Sequence, residues 1–157
     1  MDTNIDQNTE QNTEQNTEQD KRYTYEDLLG IVDRLRGEGG CPWDRAQTHE
    51  SLIKCLREEC EEVVQAIENR DDENLCEELG DVMLQVLMHS HIAQEENRFT
   101  IEDVVDMLAH KLVRRHPHVF GDRKALTPEE GLASWEEIKK QEKEERAARF
   151  RKKKETP

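Results

Sequence analysis

Apolar residues recur every three or four positions along most of the chain, which is the spacing of one face of an α-helix. Thr24, with Asp27 three residues later, forms a capping-box pattern that predicts the start of a first helix. Leucine, isoleucine and valine then follow at helical spacing as far as Leu35. The glycine-rich segment 37–40 predicts the end of this helix.

The same pattern predicts four more helices. Thr48, Thr100 and Thr127 stand where N-caps are expected, and Pro117 predicts the end of the fourth helix. No segment shows the alternation of a β-strand. The fold class is therefore all-α, a bundle of about five helices. The later four are expected at about residues 48–69, 72–96, 100–115 and 127 onward.

The two ends of the chain differ from its middle. Residues 7–18 are three copies of Gln-Asn-Thr-Glu, a polar repeat that cannot bury enough surface to offset its ordering entropy. We predict a disordered tail over residues 1–22, a helical domain over 23–141, and a charged helix end or tail over 142–157.

Composition and charge restrict the partners. Only 33% of residues are hydrophobic and 38% are charged, so the core is thin and some apolar surface is expected to be buried against another subunit. The net charge is −14. Residues 1–20 hold six acids and no base, and the chain from Lys139 onward holds nine bases and four acids, which leaves −13 on residues 21–138. Such a domain repels nucleic-acid backbones and anionic membranes. It needs a cation or a local basic patch to hold a phosphorylated ligand.

The cysteines indicate a reducing compartment. Four are present without a C-x-x-C pair, and no signal peptide or apolar run of about 18 residues is found. We therefore expect a cytoplasmic protein with free thiols. Cys60, which lies among apolar helix positions, is expected to pack in the core.

Two predicted helices carry acidic pairs at i, i+3 spacing, Glu59 with Glu62 and Glu78 with Asp81. In a chain with 37 acids, one such pair usually marks a solvated helix face. Here we set Leu56 and Leu75 at 0° on their helices and turn about 100° per residue. Both acidic pairs then lie on the same flank of an apolar stripe, at about 300° and 240°. Antiparallel packing through the stripes would bring the four carboxylates together. The stripes consist of Leu56, Cys60, Val63 and Ile67 on one helix and Leu75, Leu79, Val82 and Val86 on the other.

Four converging carboxylates require a cation. Oxygen-rich sites suit hard ions such as Mg²⁺ or Mn²⁺ better than Zn²⁺. Gly80 lies between two of these acids although glycine inside a helix costs about 1 kcal/mol relative to alanine. It is expected to allow close helix approach or to leave space for a ligand; a tolerated packing glycine is the alternative.

The acidic pattern, E-E-x-x-E at residues 58–62 and E-x-x-D at 78–81, resembles the signature of MazG-type nucleoside triphosphate pyrophosphohydrolases. The segments 40–44, 47–48, 77–81 and 114–120 also resemble the family, and the similarity covers about residues 23–141. Some relatives carry two such domains in tandem, whereas this chain has a single copy of the signature.

The resemblance implies the all-α NTP pyrophosphatase fold and Mg²⁺-dependent cleavage of an NTP or dNTP into the monophosphate and pyrophosphate. It implies a homodimer or dimer of dimers with active sites near the subunit interface, and a role in nucleotide-pool house-cleaning or regulation. The implied metal ligands are Glu59, Glu62, Glu78 and Asp81.

We expect substrate-binding or catalytic roles at four further positions. Lys111 and Arg115, four residues apart on one helix face, match basic positions that hold the triphosphate in related domains. Trp135 matches an aromatic near the nucleotide base, with a core or interface anchor as the alternative. Glu58 could orient the attacking water, with a solvent-exposed role as the alternative.

Two other readings stay open. The chain could be a helical oligomerisation or adaptor module whose acids are only solvated surface. It could also be another enzyme of the same all-α superfamily, such as a dUTP or dCTP hydrolase or a phosphoribosyl-ATP pyrophosphohydrolase. The 40–44 and 114–120 segments favour the MazG type.

Overall fold

A computed structural model describes residues 21–125 and 127–155, with side chains as far as residue 148. The Gln-Asn-Thr-Glu repeat and the expected disorder of residues 1–20 lie outside this range. The described residues contain seven helices and no strand, which confirms the all-α class. The helices are α1 Tyr25–Arg36, α2 Pro42–Ala46, α3 Ile53–Asn69, α4 Asp72–Glu95, α5 Ile101–Arg115, α6 Pro117–Phe120 and α7 Pro128–Glu155.

The predicted helix starts are confirmed at three places and wrong at one, and the confirmed starts include Thr127, whose Oγ1 accepts from the backbone N–H of Glu130 at the start of α7. Thr24 and Thr100 each form a capping box with the aspartate three residues later. Thr48, in contrast, does not cap α3, which begins five residues further on. Its hydroxyl instead accepts a hydrogen bond from the backbone N–H of Ser51, and this side chain–backbone turn delays the helix.

The chain divides into two compact units. The first ends at Glu96 and contains α1 to α4, and the second begins at Asn97 and contains α5 to α7. The single catalytic domain over residues 23–141 stays a prediction. None of the helices in the described residues has the length and apolarity that crossing a membrane requires.

Helices α3 and α4 form an antiparallel hairpin, the most extensive helix pairing of the first unit. Arg70 ends α3 in the left-handed conformation, with φ 58°, and its N–H donates to the carbonyls of Ala66 and Ile67. Asp71 then caps α4 by accepting from the backbone N–H of Asn74. Since only two residues separate the helices, they must fold back on each other.

The packed faces of the hairpin differ from the predicted apolar stripes. In the part of each helix that carries the acids, the buried residues are Ala66 on α3 and Glu78 and Gln85 on α4. Measured around each helix from Leu56 and Leu75 at 0°, these three residues lie at about 280–300°. The interface is therefore rotated by about 60° toward the carboxylates. The expectation that Cys60 packs in the core is wrong, because this residue is exposed.

This rotation leaves apolar side chains uncovered. They lie at about 20–80° on both wheels, so they share one side of the hairpin. We call this surface the exposed hairpin face. It consists of Ile53, Cys60, Val64 and Ile67 on α3 and Leu79, Met83 and Val86 on α4.

Arg36, at the end of α1, fixes the segment that leads into the hairpin. Its side chain is only 3% exposed and binds Glu95 on α4 through Nε at 3.0 Å and Nη2 at 2.8 Å. Its Nη1 donates to the backbone carbonyl of Asp44 in α2. One buried guanidinium thus connects α1, α2 and α4.

Candidate metal centre

Three of the four predicted ligands lie together on the hairpin. One carboxylate oxygen each from Glu59, Glu78 and Asp81 lies within 4.8 Å of the other two. Glu59 comes from α3, and the other two come from neighbouring turns of α4. Because α3 and α4 run antiparallel through faces that include these residues, the acids meet within the interface.

The fourth predicted ligand, Glu62, lies beside this group. Its side chain is exposed, but its carboxyl acts on both Glu59 and Glu78 through charge and hydrogen bonding. The structure therefore brings three of the predicted residues into one tight cluster, with the fourth in contact with two of them.

The cluster concentrates negative charge. Burial, followed by the charges of Asp81 and Glu62, raises the pKa of Glu59. Burial and the neighbouring Glu62 likewise raise the pKa of Glu78. In the described part of the chain, no Lys or Arg forms an ion pair with these carboxylates. An all-oxygen, anionic donor set without an internal counter-charge fits a hard divalent cation.

Glu58 lies outside the cluster. Its carboxylate binds Lys54 at 3.2 Å, and its side chain is 53% exposed. It is adjacent in sequence to Glu59 and contributes a minor repulsion to it. The structure thus places this residue at the solvent side of α3.

Gly80 is exposed, and a Cβ added to it would meet no atom within 4 Å. Close helix approach is therefore not the reason for glycine at this position, and that expectation is wrong. The space around Gly80 is open, but at about 100° per residue this position lies on a different side of α4 from Glu78 and Asp81, so ligand space beside the carboxylates stays a prediction.

A histidine pair joins the segment before α3 to α4. The rings of His49 and His89 stack with centroids 5.0 Å apart, and their Nδ1 atoms are 2.7 Å apart. One Nδ1 must donate and the other accept, so the contact holds one proton. Burial and the neighbouring His49 lower the pKa of His89, which favours its neutral form.

In the second unit, the predicted substrate-binding residues lie on α5 and α7, which pack together. The guanidinium carbon of Arg115 lies 5.3 Å from the centroid of the Trp135 ring. Lys111 is half-buried one turn earlier on α5. Two of the predicted residues are thus in contact, and Lys111 shares the helix of one of them.

Sequence reasoning missed two residues of this group. Lys139 Nζ lies 4.6 Å from the centroid of the same Trp135 ring. Glu142 accepts from Arg115 Nε at 3.1 Å and Nη2 at 2.7 Å, and also from Arg114. The available signal was their spacing, four and seven residues after Trp135, which places all three on one helix face.

Comparison with known proteins places this geometry in a family. Residues 47–120 match the MazG nucleotide pyrophosphohydrolase domain. The fold is similar to the crystal structure of a mazG-related protein from Thermotoga maritima, with a TM-score of 0.61 and 33% sequence identity over 73% of this chain and 98% of that chain. The chain belongs to the MazG family.

Several curated proteins are similar to this MazG chain. The nucleoside triphosphate pyrophosphohydrolase/pyrophosphatase MazG of Thermotoga maritima is 53% identical over 119 residues, which are 76% of this chain and 45% of that protein. The nucleoside triphosphate pyrophosphohydrolase of Escherichia coli K12 is 46% identical over 76% of this chain and 46% of its own length. An uncharacterised protein of Bacillus subtilis, YabN, is 49% identical over 77% of this chain and 25% of its own length. The chain thus spans a quarter to nearly half of these relatives.

The MazG match covers most of the predicted site residues. It includes the four acids of the hairpin and both predicted phosphate-binding residues of α5. It ends at residue 120, before Trp135, Lys139 and Glu142.

Proposed function

We propose that this chain is a Mg²⁺-dependent nucleoside triphosphate pyrophosphohydrolase, which cleaves an NTP or dNTP between the α and β phosphates into the monophosphate and pyrophosphate. The observation that carries the proposal is the carboxylate cluster, in which oxygens of Glu59, Glu78 and Asp81 lie within 4.8 Å of one another. Family membership and the names of two full-length relatives support the same reaction.

The proposed metal ligands are these three residues together with Glu62, and Mn²⁺ is a possible substitute for Mg²⁺. The raised carboxyl pKa values of Glu59 and Glu78 support this assignment, since a cation offsets the burial and the repulsion that raise them. When bound, Mg²⁺ supplies charge neutralisation at the phosphates and activation of the attacking water.

The remaining roles concern the substrate. Lys111 and Arg115 would neutralise the β and γ phosphates and the departing pyrophosphate. Trp135, which already contacts Arg115, would lie near the nucleotide. Glu58 would orient the water from the outer side of α3, beside Glu59.

The decisive experiment is a panel of NTPs and dNTPs with Mg²⁺, in which pyrophosphate and orthophosphate are measured separately. We expect pyrophosphate from at least one nucleotide and a loss on addition of EDTA. The panel includes dUTP, dCTP and phosphoribosyl-ATP, which identify the alternative superfamily activities. Absence of pyrophosphate across the panel would contradict the proposal and favour the adaptor reading.

Matched variants test the ligand assignment. Asp81→Asn keeps the side-chain shape but removes its charge, and should lower kcat/KM by about 100-fold or more, since even outer-sphere partners of metal sites cost 10–100-fold. Glu61→Gln, an exposed acid on α3 outside the cluster, should leave kcat/KM unchanged. Equal activities of the two variants would show that the ligand assignment is wrong.

We further propose that the protein assembles as a homodimer or a dimer of dimers through the exposed hairpin face, which carries apolar side chains on both α3 and α4. A nucleic-acid polymer is not proposed as a partner, because residues 21–138 carry a charge of −13. A cytoplasmic location is supported by four free cysteines. The proposed role is house-cleaning or regulation of the nucleotide pool.

A further inference from the structure

A row of polar residues continues along α4 beyond the carboxylates. Asp81, Gln85 and His89 are spaced four residues apart, at about 240°, 280° and 320° around the helix. Side chains at this spacing lie on one face, and each leans back toward the residue one turn before it. Gln85 therefore extends toward Asp81, and His89 extends toward Gln85. The row leads from the candidate metal centre to the histidine pair.

Two atoms of this row are buried without a hydrogen-bond partner. Gln85 is only 6% exposed, and its Oε1 has no partner in the described part of the chain. His89 Nε2, one turn further along α4, is in the same state. An unpaired polar atom in the interior is costly, and native proteins retain few of them. Because one atom is an acceptor and the other is a ring nitrogen, the two atoms can satisfy each other.

Pairing of these two atoms would fix the proton of the histidine contact. Gln85 Oε1 can only accept, so His89 Nε2 must carry the proton of that ring. Burial and the neighbouring His49 lower the pKa of His89, which favours a neutral ring with a single N–H. The Nδ1 of His89 then accepts, and the Nδ1 of His49, 2.7 Å away, donates to it.

The amide of Gln85 has donors for the opposite direction. With Oε1 turned toward His89, the two N–H donors of Nε2 are directed to the acid one turn before, Asp81. A metal-ligating carboxylate is commonly oriented by hydrogen bonds from such an outer partner, which also tunes the affinity for the metal. Every donor in the row thus faces the next acceptor, and the row ends on a predicted metal ligand.

We propose that Gln85 is a positioning residue, which orients the carboxylate of Asp81 for the cation. It does so as the middle member of a hydrogen-bond chain that begins with His49 and His89. The inference rests on the metal centre of the proposed function. Its first part, the direction of the chain, concerns the protein without cation or nucleotide.

The direction of the chain can be read by NMR. In the ¹⁵N-labelled full chain at about pH 8, without cation, long-range ¹H–¹⁵N spectra distinguish ring nitrogens that carry a proton from those that do not. We expect a proton on Nδ1 of His49 and on Nε2 of His89. A proton on Nδ1 of His89 instead would overturn the chain. This measurement uses the wild type, so it does not depend on the folding of any variant.

The positioning role is tested by the affinity for Mn²⁺, measured by calorimetry. Gln85→Leu removes the amide and keeps a similar volume, and we expect it to raise the Kd for Mn²⁺ by about tenfold or more. Ser90→Ala is the matched control, because it removes another buried polar group of α4, which donates to the carbonyl of Val86. It lies at about 60°, away from the row, and should leave the Kd unchanged.

A double variant tests whether the members act in series. His89→Phe keeps an aromatic ring beside His49 but removes both ring nitrogens, and should also raise the Kd for Mn²⁺. In the Gln85→Leu background it should add nothing, because the chain is already broken. Additive effects of the two changes would overturn the chain.

The remaining outcomes separate the inference from the proposed function. Equal Mn²⁺ affinities of Gln85→Leu and Ser90→Ala would overturn the positioning role, even in a protein that releases pyrophosphate normally. A wild type that cleaves no nucleotide but shows the expected differences in Mn²⁺ affinity would refute the proposed function and support the inference. A wild type that binds no Mn²⁺ would overturn both. Circular dichroism checks that each variant retains its helices.

Discussion

Two glutamates of the hairpin have carboxyl pKa values that reflect the negative charge of the cluster. Glu59 and Glu78 have raised pKa values because burial and neighbouring acids disfavour their charged forms. The folded protein therefore holds protons at these sites more tightly than the unfolded chain does. In the absence of a cation, the stability that this provides is present at low pH and is lost as the pH rises through the raised pKa values, above the ordinary 4.5.

A divalent cation should reverse this loss. We expect Mg²⁺ to raise the Tm of the wild type more at pH 7.5 than at pH 5, because protons compete with the cation for the same oxygens. Differential scanning fluorimetry with and without Mg²⁺ at the two pH values measures the effect. Asp81→Asn is the control and should show a smaller shift. A Mg²⁺ shift of equal size at both pH values, or in both proteins, would contradict a cation site at the cluster.

Glu142 is the second residue whose role can be tested singly. Its hydrogen bonds from Arg115 lower its pKa, so it is ionised at neutral pH and orients the guanidinium. In Glu142→Gln, we expect kcat to fall by about tenfold because the guanidinium is no longer held in position, whereas KM should not rise, since a negative charge near the phosphates is removed. Steady-state kinetics of this variant and of Glu144→Gln, an exposed acid on the same helix, provide the comparison. A rise in KM at constant kcat would refute the positioning role.

At the scale of elements, the α3–α4 hairpin is where pattern and packing differ. The hydrophobic pattern predicts both helices, and Asp72–Glu95 agrees closely with the expected 72–96. The pattern does not predict the direction in which each helix faces, because several apolar residues lie on more than one side. Small and polar residues, Ala66 and Gln85 among them, are buried between or near the helices, while the apolar side chains of the exposed hairpin face remain uncovered.

Gly80 provides a test at this scale. Gly80→Ala and Gly30→Ala each add a methyl group in an exposed helix interior where no atom lies within 4 Å. We expect both to raise the free energy of unfolding by about 1 kcal/mol, the helix-propensity difference. Neither change should lower kcat/KM, because position 80 lies about 160° from Glu78 and about 100° from Asp81 around α4. Urea denaturation and the nucleotide assay measure the two effects. A fall in kcat/KM for Gly80→Ala would contradict the tolerated packing glycine and favour the role of leaving space for a ligand.

At the scale of the whole molecule, the thin core expected from composition corresponds to an uncovered apolar surface on the hairpin. The exposed hairpin face leaves Ile67 56% and Leu79 51% exposed, on two adjacent helices. Apolar groups that are exposed singly need no explanation, but a contiguous set favours burial against a partner. The face lies on the same hairpin as the carboxylate cluster, so assembly through it would place two such clusters in one four-helix arrangement.

A charge on this face should prevent assembly. We expect the wild type to have the mass of a dimer or tetramer and Met83→Glu to have a lower mass, because a carboxylate would be buried at the interface. Light scattering coupled to size-exclusion chromatography measures both. Met107→Glu, at a 73% exposed position on α5, is the control and should not change the mass. A monomeric wild type, or a Met83→Glu variant of unchanged mass, would show that this face is not the interface.

The sequence by itself determined the helical class, the two capping boxes and the approximate bounds of the long helices, because these depend on local spacing and on side chains within one turn. It also identified the acids, whose i, i+3 spacing survives any rotation of the helix. The short helices α2 and α6, of five and four residues, escaped detection because they contain too few positions to show a period.

Only the tertiary structure decided what depends on contacts between distant segments. The rotation of α3 and α4 about their own axes is set by which side chains fit between them. This rotation brings three acids into a tight cluster with Glu62 at its side. The same holds for Trp135, whose contacts with Arg115 and Lys139 depend on the packing of α7 against α5. Local spacing places side chains on a helix face, whereas the energy of packing two helices decides which faces meet.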